Sequence, residues 1–385
     1  MVADPLIDIL IPAYNAESTI REAIDSLRGQ TIAAIRIVVV DDGSTDGTGR
    51  ILAEMASQDP RIVVLTQPNG GITAALNHGV SQCRAPFIAR LDADDLAAPD
   101  RLERQFGYMT AHPDCIALSG SGRHIDAQGH PTGGRVRAAL IDRADPSWLP
   151  AREPYLPQPF LMMRRAAFDR VGGYRSLTVA EDSDLCWRLQ EVGTILNLPE
   201  DFGAYRVHAH SISSASIRNG RSMAFWSQMA AVSARRRRSG QPDLAFSADE
   251  LRRCAQAVSL EDFLHAGATV LSADERSWLA LAMGMKLVAL AFYRPFELDN
   301  ADCGFIRRAL RDPSVAVRAE NRAEMADHLM GTATRLAIHG RFGDALGLVS
   351  PARYPVLLGR ISFRLALPQG VREMFKRLVG RAQPA

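Results

Sequence analysis

The first two hundred residues alternate two kinds of segment, and that alternation is the strongest limit on what the chain can fold into. Short apolar or β-branched runs at Leu6–Ile11, Arg36–Val40, Ile62–Leu65, Phe87–Leu91 and Cys115–Leu118 read as buried strands. Between them, Glu17–Leu27, Thr48–Ala56, Ile72–Val80 and Asp100–Thr110 repeat their apolar residues at helical spacing. Strands that alternate with helices imply an α/β domain with a mainly parallel sheet covered on both faces. Ligands of such sheets sit beyond the carboxyl ends of the strands.

The alternation does not continue. Residues 121–160 show no clear period, as expected of a functional loop. After residue 220 the strand signals stop. Ser247-Ala248-Asp249-Glu250 and Ser272-Ala273-Asp274-Glu275 are two capping boxes that each open a helical run. The expected organisation is a catalytic α/β domain over 1–220 and an α-helical C-terminal subdomain over 221–385. The charges divide the same way. Residues 1–220 carry a net −6 and residues 221–385 a net +8.

Composition removes several classes. With 47% hydrophobic and 23% charged residues, the chain is not disordered. The longest apolar stretch, Trp278–Tyr293, is interrupted by Lys286 and is too short to span a bilayer. It is expected to be a buried core helix. The five cysteines are widely spaced and lack a CxxC pair, which argues against a disulfide framework or a zinc site and for a reducing cytoplasm. The N-terminus lacks the features of a signal peptide.

Three acidic clusters carry the chemistry. Asp41-Asp42-Gly43-Ser44-Thr45-Asp46-Gly47 follows the second strand. It suits either hydrogen bonding to a base or ribose, or a plain Asp-rich turn. Asp92-Ala93-Asp94-Asp95 follows the fourth strand. Carboxylates crowded there repel one another unless a cation is present, and hard oxygen ligands suit Mg²⁺ or Mn²⁺. Glu181 and Asp182 open a helix whose apolar face is Leu185, Leu189 and Val192. The helix dipole favours ionised carboxylates there, for capping or for general-base work.

Taken in order, these motifs resemble a known family. Ile11-Pro12-Ala13-Tyr14-Asn15, the acidic run at 40–48, Asn69-Gly70-Gly71 with Asn77-His78-Gly79, the Asp92–Asp95 run, Val171-Gly172-Gly173-Tyr174, Glu181-Asp182 and Tyr205-Arg206-Val207-His208 are similar to the family 2 inverting glycosyltransferases of GT-A fold, of the bacterial polysaccharide and glycolipid type. The resemblance covers roughly residues 5–215. It implies a Rossmann-like nucleotide-diphospho-sugar transferase domain. The implied reaction moves a sugar from a nucleotide-diphosphate donor to a hydroxyl of a glycan or lipid-linked acceptor, in surface polysaccharide synthesis. By resemblance, Pro12, Tyr14 and Glu17 line the nucleotide pocket, Asp42 binds the base and Asp92 the ribose. Asp94 ligates Mn²⁺ or Mg²⁺ with His208 completing the site. Gly172 and Gly173 let the backbone approach the substrate. Glu181 and Asp182 form the catalytic pair, with Asp182 as base.

The departures from the family are informative. Gln190 is not followed by Arg-Trp, so the run that marks processive members is missing, and non-processive transfer is expected. Gln158 stands where family members often have His before the Pro-x-x-x-Met-x-Arg run. Two other functions compete with this one. A sugar-nucleotide nucleotidyltransferase needs a Gly-rich basic loop after the first strand, and Ile11–Glu17 has none. A catalytically inactive nucleotide-sugar-binding or scaffold protein conflicts with intact Asp42, Asp94 and Asp182.

The C-terminus adds a further expectation. Val371, Met374, Phe375, Leu378 and Val379 form an apolar stripe flanked by Arg372, Lys376 and Arg377. Such a helix suits either a membrane surface or docking on the protein's own core. The expected location is cytoplasmic, with peripheral contact on the inner face of the plasma membrane through this tail. Arg235–Arg238 reads as a solvated helix end. Nucleic acid is not expected as a partner, since aromatic residues do not interleave the basic ones.

Overall fold

A computed structural model describes residues 4–136, 140–207, 216–293 and 296–366. The chain divides into two compact units. The first holds residues up to Ser147, then Ala151–Ser214 and Met229–Leu244. The second holds Trp148–Pro150, Ala215–Gln228 and the remainder from Ala245.

The first unit is built on one nine-stranded sheet. Its strands are β1 (Ile7–Ala13), β2 (Ile35–Asp41), β3 (Ile62–Thr66), β4 (Phe87–Arg90), β5 (Leu96–Ala97), β6 (Cys115–Ile125), β7 (Pro131–Val136), β8 (Met162–Arg164) and β9 (Thr194–Arg206). They are ordered β3-β2-β1-β4-β8-β6-β9-β5, with β7 paired to β6. The β3-β2-β1-β4 part is parallel, in the expected register of alternating strand and helix. The expectation of a mainly parallel sheet needs amendment beyond β4. There β8 runs antiparallel to both β4 and β6, while β6 and β9 are parallel.

Strand pleating explains the three layers. Ile7, Ile9 and Ile11 of β1 and Ile37 and Val39 of β2 face one core, while Leu10, Val38 and Val40 face the other. Helices α1 (Ile20–Arg28), α2 (Thr48–Gln58) and α4 (Arg101–Ala111) bury Leu27, Leu52 and Leu102 in the first core. Helices α3 (Ile72–Gln82), α5 (Arg165–Arg170) and α6 (Glu181–Gln190) bury Leu76, Phe168 and Leu185 in the second. Trp187 and Leu189 are fully buried, as core residues should be.

The 121–160 stretch is more regular than its sequence suggests. It contains the end of β6, all of β7, and an antiparallel bridge between Asp145 and Arg152. Helix α7 (Ile217–Arg238) ends in the Arg235–Arg238 run, and this end is not simply solvated. Arg237 pairs with Glu191 at 2.7 Å and Asp243 at 2.9 Å, and Asp243 also binds Arg175. Arg238 lies over the Trp187 ring at 5.3 Å.

Among the described residues from Ala245 onward, all regular structure is helical: α8 (Ala248–Gln256), α9 (Leu260–Gly267), α10 (Ala273–Tyr293), α11 (Asn300–Leu310), α12 (Ala319–Ile338), α13 (Phe342–Leu348) and α14 (Tyr354–Ala366), with short 3₁₀ turns. Both expected capping boxes form. Ser247 and Glu250 exchange their bonds, as do Ser272 and Glu275. Ser259/Asp262 and Asp299/Asp302 add two more. Helix α10 is a core helix, with Leu279, Met283, Met285 and Leu287 fully buried. No described helix is long and apolar enough to cross a membrane. The apolar stripe Val371–Val379 lies outside the described residues.

Candidate active site

Four parallel strands deliver their carboxyl ends to one edge of the sheet, and the loops there are laced to one another. The backbone N–H of Asn15 donates to Ser44 Oγ at 2.9 Å, and Thr45 N–H returns a bond to Asn15 Oδ1 at 2.8 Å. Glu17 N–H donates to Asp46, and Gly47 N–H donates to Glu17 Oε2 at 3.0 Å. Asn15 takes a positive φ of 48°, which Asn tolerates in a tight turn. These bonds hold Pro12, half-buried, and Tyr14, 51% exposed, at the mouth of the edge.

Asp42 lies 4% exposed beside the β3–α3 loop. Oδ1 accepts from Gln67 Nε2 at 2.7 Å and Gly70 N–H at 2.9 Å, and Oδ2 accepts from Gly71 N–H at 2.9 Å. Its carboxylate therefore organises the Gln67–Gly71 loop around the place assigned to the base.

The second acidic cluster is a tight turn after β4. Asp95 N–H bonds to the carbonyl of Asp92 at 3.1 Å. Arg206, 2% exposed, clamps this turn. Its backbone N–H donates to Asp95 Oδ1 at 2.7 Å, its Nε to the Asp94 carbonyl at 2.8 Å, and its Nη2 to Glu22 at 2.8 Å. Beneath the turn, Arg90 is 2% exposed. It donates to Asp92 Oδ1 at 3.0 Å and to Gln158 Oε1 at 2.7 Å. Burial, reinforced by the charges of Asp94 and Asp92, holds the Asp95 carboxyl far above its ordinary pKa, and its Oδ2 is buried without a partner.

Hard oxygen donors gathered at one turn fit a divalent cation. Among the described residues, no three His, Cys, Asp or Glu side chains already converge on one point. His208 lies outside the described residues.

The third cluster starts α6. Ala180 takes a left-handed φ of 60° immediately before Glu181, an unusual conformation for a residue with a Cβ. The loop leading to it is tied down. Gly172 and Gly173, at φ 78° and 71°, close α5, and Arg188 Nη1 donates to the carbonyls of Val171 and Gly173 at 2.7 Å. Asn77 donates to the Tyr174 carbonyl and Thr73 to that of Leu177, each at 2.9 Å.

Glu181, 8% exposed, has its pKa pushed up to about 7 by burial, then by Asp182, with Arg90 opposing. Asp182 is half-buried, and burial also raises its pKa. The Ser183 N–H, which donates to Asp182 Oδ1 at 2.8 Å, opposes this rise, and the neighbouring charge of Glu153 adds to it. Glu153 itself accepts from Ser183 Oγ at 2.6 Å. A carboxylate with a raised pKa at a fixed helix start is suited to accept a proton.

Three groups at this edge escape sequence reasoning: Arg90, Arg206 in its clamping role, and Glu153. Burial and partners mark them, and neither is visible in a motif.

The family described as glycosyl transferase family 2 matches residues 8–172. Chondroitin synthase of Escherichia coli is 32% identical over 190 residues, 49% of this chain and 27% of that protein. EpsE of Bacillus subtilis, described as a glycosyltransferase, is 31% identical over 198 residues, 50% of this chain and 69% of that protein. This chain thus spans about a quarter of the chondroitin synthase it matches. Among solved structures, residues 1–349 of TarS from S. aureus in complex with UDP-GlcNAc align with a TM-score of 0.50 at 17% identity, covering 87% of this chain and 92% of that one.

Proposed function

We propose, for a chain that belongs to glycosyltransferase family 2, has its GT-A fold and is a glycosyltransferase enzyme, a non-processive inverting transfer from a nucleotide-diphosphate sugar to a hydroxyl of a glycan or lipid-linked acceptor. The observation that carries this reading is a pair of acidic centres, Asp92–Asp95 and Glu181–Asp182, between which the buried charge of Arg90 acts. One centre suits a donor's sugar and phosphates. The other suits proton removal from an acceptor.

On the donor side, Pro12, Tyr14 and Glu17 line the nucleotide pocket. Asp42 holds the loop against the base, and Asp92 meets the ribose. Asp94 would hold Mn²⁺ or Mg²⁺ together with His208, and such an ion supplies positive charge against the departing nucleoside diphosphate. On the acceptor side, Asp182 takes the hydroxyl proton while the oxygen attacks the anomeric carbon. The bond from that carbon to the diphosphate oxygen breaks on the opposite face, and a single displacement inverts the configuration. Glu181 neighbours the base and tunes its charge. Gly172 and Gly173 shape the turn that brings the α6 start to the sheet edge.

Surface polysaccharide synthesis is the setting that chondroitin synthase, at 32% identity, supports. The basic 351–385 segment would bring the enzyme to the inner face of a membrane when the acceptor is lipid-linked.

The test is Asp182→Asn. Binding of UDP or GDP should persist while transfer falls by about 10²–10⁴-fold. Full activity in this variant would remove Asp182 as the base.

A further inference from the structure

Among the described residues of the first unit, only two Phe, Tyr or Trp side chains are exposed, Tyr14 at 51% and Tyr155 at 38%. Tyr14 belongs to the proposed nucleotide pocket. Tyr155 has no role in it. An exposed aromatic ring keeps apolar surface in water that a ligand can cover.

The placement of Tyr155 points to that ligand. It lies midway along Glu153–Gln158, a short segment fixed at both ends to opposite sides of the site. At one end Glu153 accepts from Ser183 Oγ at 2.6 Å, one residue from Asp182. At the other, Gln158 Oε1 accepts from Arg90 at 2.7 Å, which in turn binds Asp92. The middle is fixed too. Asn197 Nδ2 donates to the Tyr155 carbonyl at 2.9 Å, and Tyr155 N–H donates to the Glu153 carbonyl at 2.9 Å. The ring is therefore presented from a rigid backbone between the proposed base and the proposed ribose contact.

We propose that Tyr155 is the platform on which a pyranose ring of the acceptor stacks, so that the acceptor enters as a glycan with a sugar ring at its reactive end. This deepens the functional reading above and rests on it for the word acceptor. The C–H bonds on one face of a pyranose are weakly positive and pack against the negative face of an aromatic ring, while its hydroxyls remain at the edge for polar contacts. A hydroxyl on that sugar would then lie beside Asp182. A phenol, which ordinarily titrates at about 10, is neutral at pH 7. No negative charge on Tyr155 competes with the base.

Saturation-transfer NMR on the full chain tests the subsite directly. The probes are methyl β-D-glucopyranoside, methyl β-D-galactopyranoside, methyl α-D-mannopyranoside and methyl N-acetyl-β-D-glucosaminide, with glycerol as the control without a ring. At least one pyranoside should receive saturation at its ring C–H protons. Its affinity should fall about tenfold or more in Tyr155→Ala and in Tyr155→Leu, and stay within about threefold in Tyr155→Phe and Tyr155→Trp. UDP or GDP binding should be equal in all five proteins.

The proposal is overturned if no pyranoside exceeds glycerol in the wild type, or if both Ala and Leu variants bind as the wild type does. Equal loss in Tyr155→Phe also overturns it, since that assigns a hydroxyl contact in place of stacking. Absence of UDP and GDP binding in the wild type counts against the donor reading alone, and the pyranoside result still decides the subsite.

Discussion

Arg90 Nη2 donates to Asp92 Oδ1 at 3.0 Å, from a side chain that is 2% exposed while the carboxylate is 30% exposed. The pair is thus a buried cation holding a carboxylate that reaches the site. The same cation lowers the pKa of both Glu181 and Asp182 against the opposing effect of burial. One guanidinium therefore acts on both acidic centres, the proposed donor and acceptor sides.

Arg90→Gln should separate those effects. Without the cation the Asp182 carboxyl titrates at higher pH, and a base works only when ionised. The acid limb of the pH–activity profile should move up by about one pH unit. Donor binding should weaken as well, because Asp92 loses its anchor. An unmoved acid limb would show that Arg90 has no influence on the base.

Glu181 makes a stability prediction with a definite sign. Its pKa in the fold is about 7, against an ordinary 4.5. The buried carboxyl is comfortable while protonated, so wild-type stability is intact below about pH 4.5 and falls as pH rises through 7. Glu181→Gln removes this pH dependence. Denaturant unfolding should find the variant more stable than wild type at pH 8 and nearly equal at pH 4.5. A gain of equal size at both pH values would contradict the assignment.

Gly47→Ala probes the loops of the proposed nucleotide pocket without damaging the core. A Cβ at Gly47 would come within 2.2 Å of Glu17 Oε1. The exposed Glu17 side chain can swing away, so stability should change by less than about 1 kcal/mol. Doing so breaks the bond from Gly47 N–H to Glu17. Calorimetry should find weaker UDP or GDP binding at nearly unchanged Tm. Unchanged binding would mean that the Glu17–Gly47 bond does not shape the pocket.

In the helical unit, Arg221 binds both oxygens of Asp302 at 2.8 and 2.9 Å, and Asp302 is 1% exposed. Arg221→Ala leaves that carboxylate buried without its cation, and should cost about 3–5 kcal/mol in denaturant unfolding. Adding Asp302→Asn should recover part of the loss, because the stranded charge is gone. A double variant as unstable as the single one would place the cost in lost packing instead.

The sequence was most readable where one pattern meets one environment. The β1 and β2 strands, with Ile9 and Leu10 or Val38 and Val39 facing opposite cores, repeat that alternation in plain letters. The 121–160 stretch failed for a physical reason. In β6, Gly120 and Gly122 leave room for rings, and a Cβ at either would approach Phe202 or Phe160 to under 3 Å. Glycines that admit a neighbour's ring carry no apolar signal of their own. At the site, Asp92, Asp94, Glu181 and Asp182 were visible because carboxylates cluster at strand or helix ends. Arg90 and Arg206 were not. In a chain with 43 arginines a single one says nothing until its burial and partners are known.

The basic end of α7 has a practical bearing on how this enzyme is dissected. Asp243 gathers Arg175 and Arg237, and Arg237 reaches back to Glu191 near the end of α6, the helix that begins with the proposed base. A fragment cut before this clasp would carry every acidic motif and still lack the tether on the far end of α6. Any shortened enzyme, chimera or tag insertion meant to keep that helix seated has to retain the chain through Leu244.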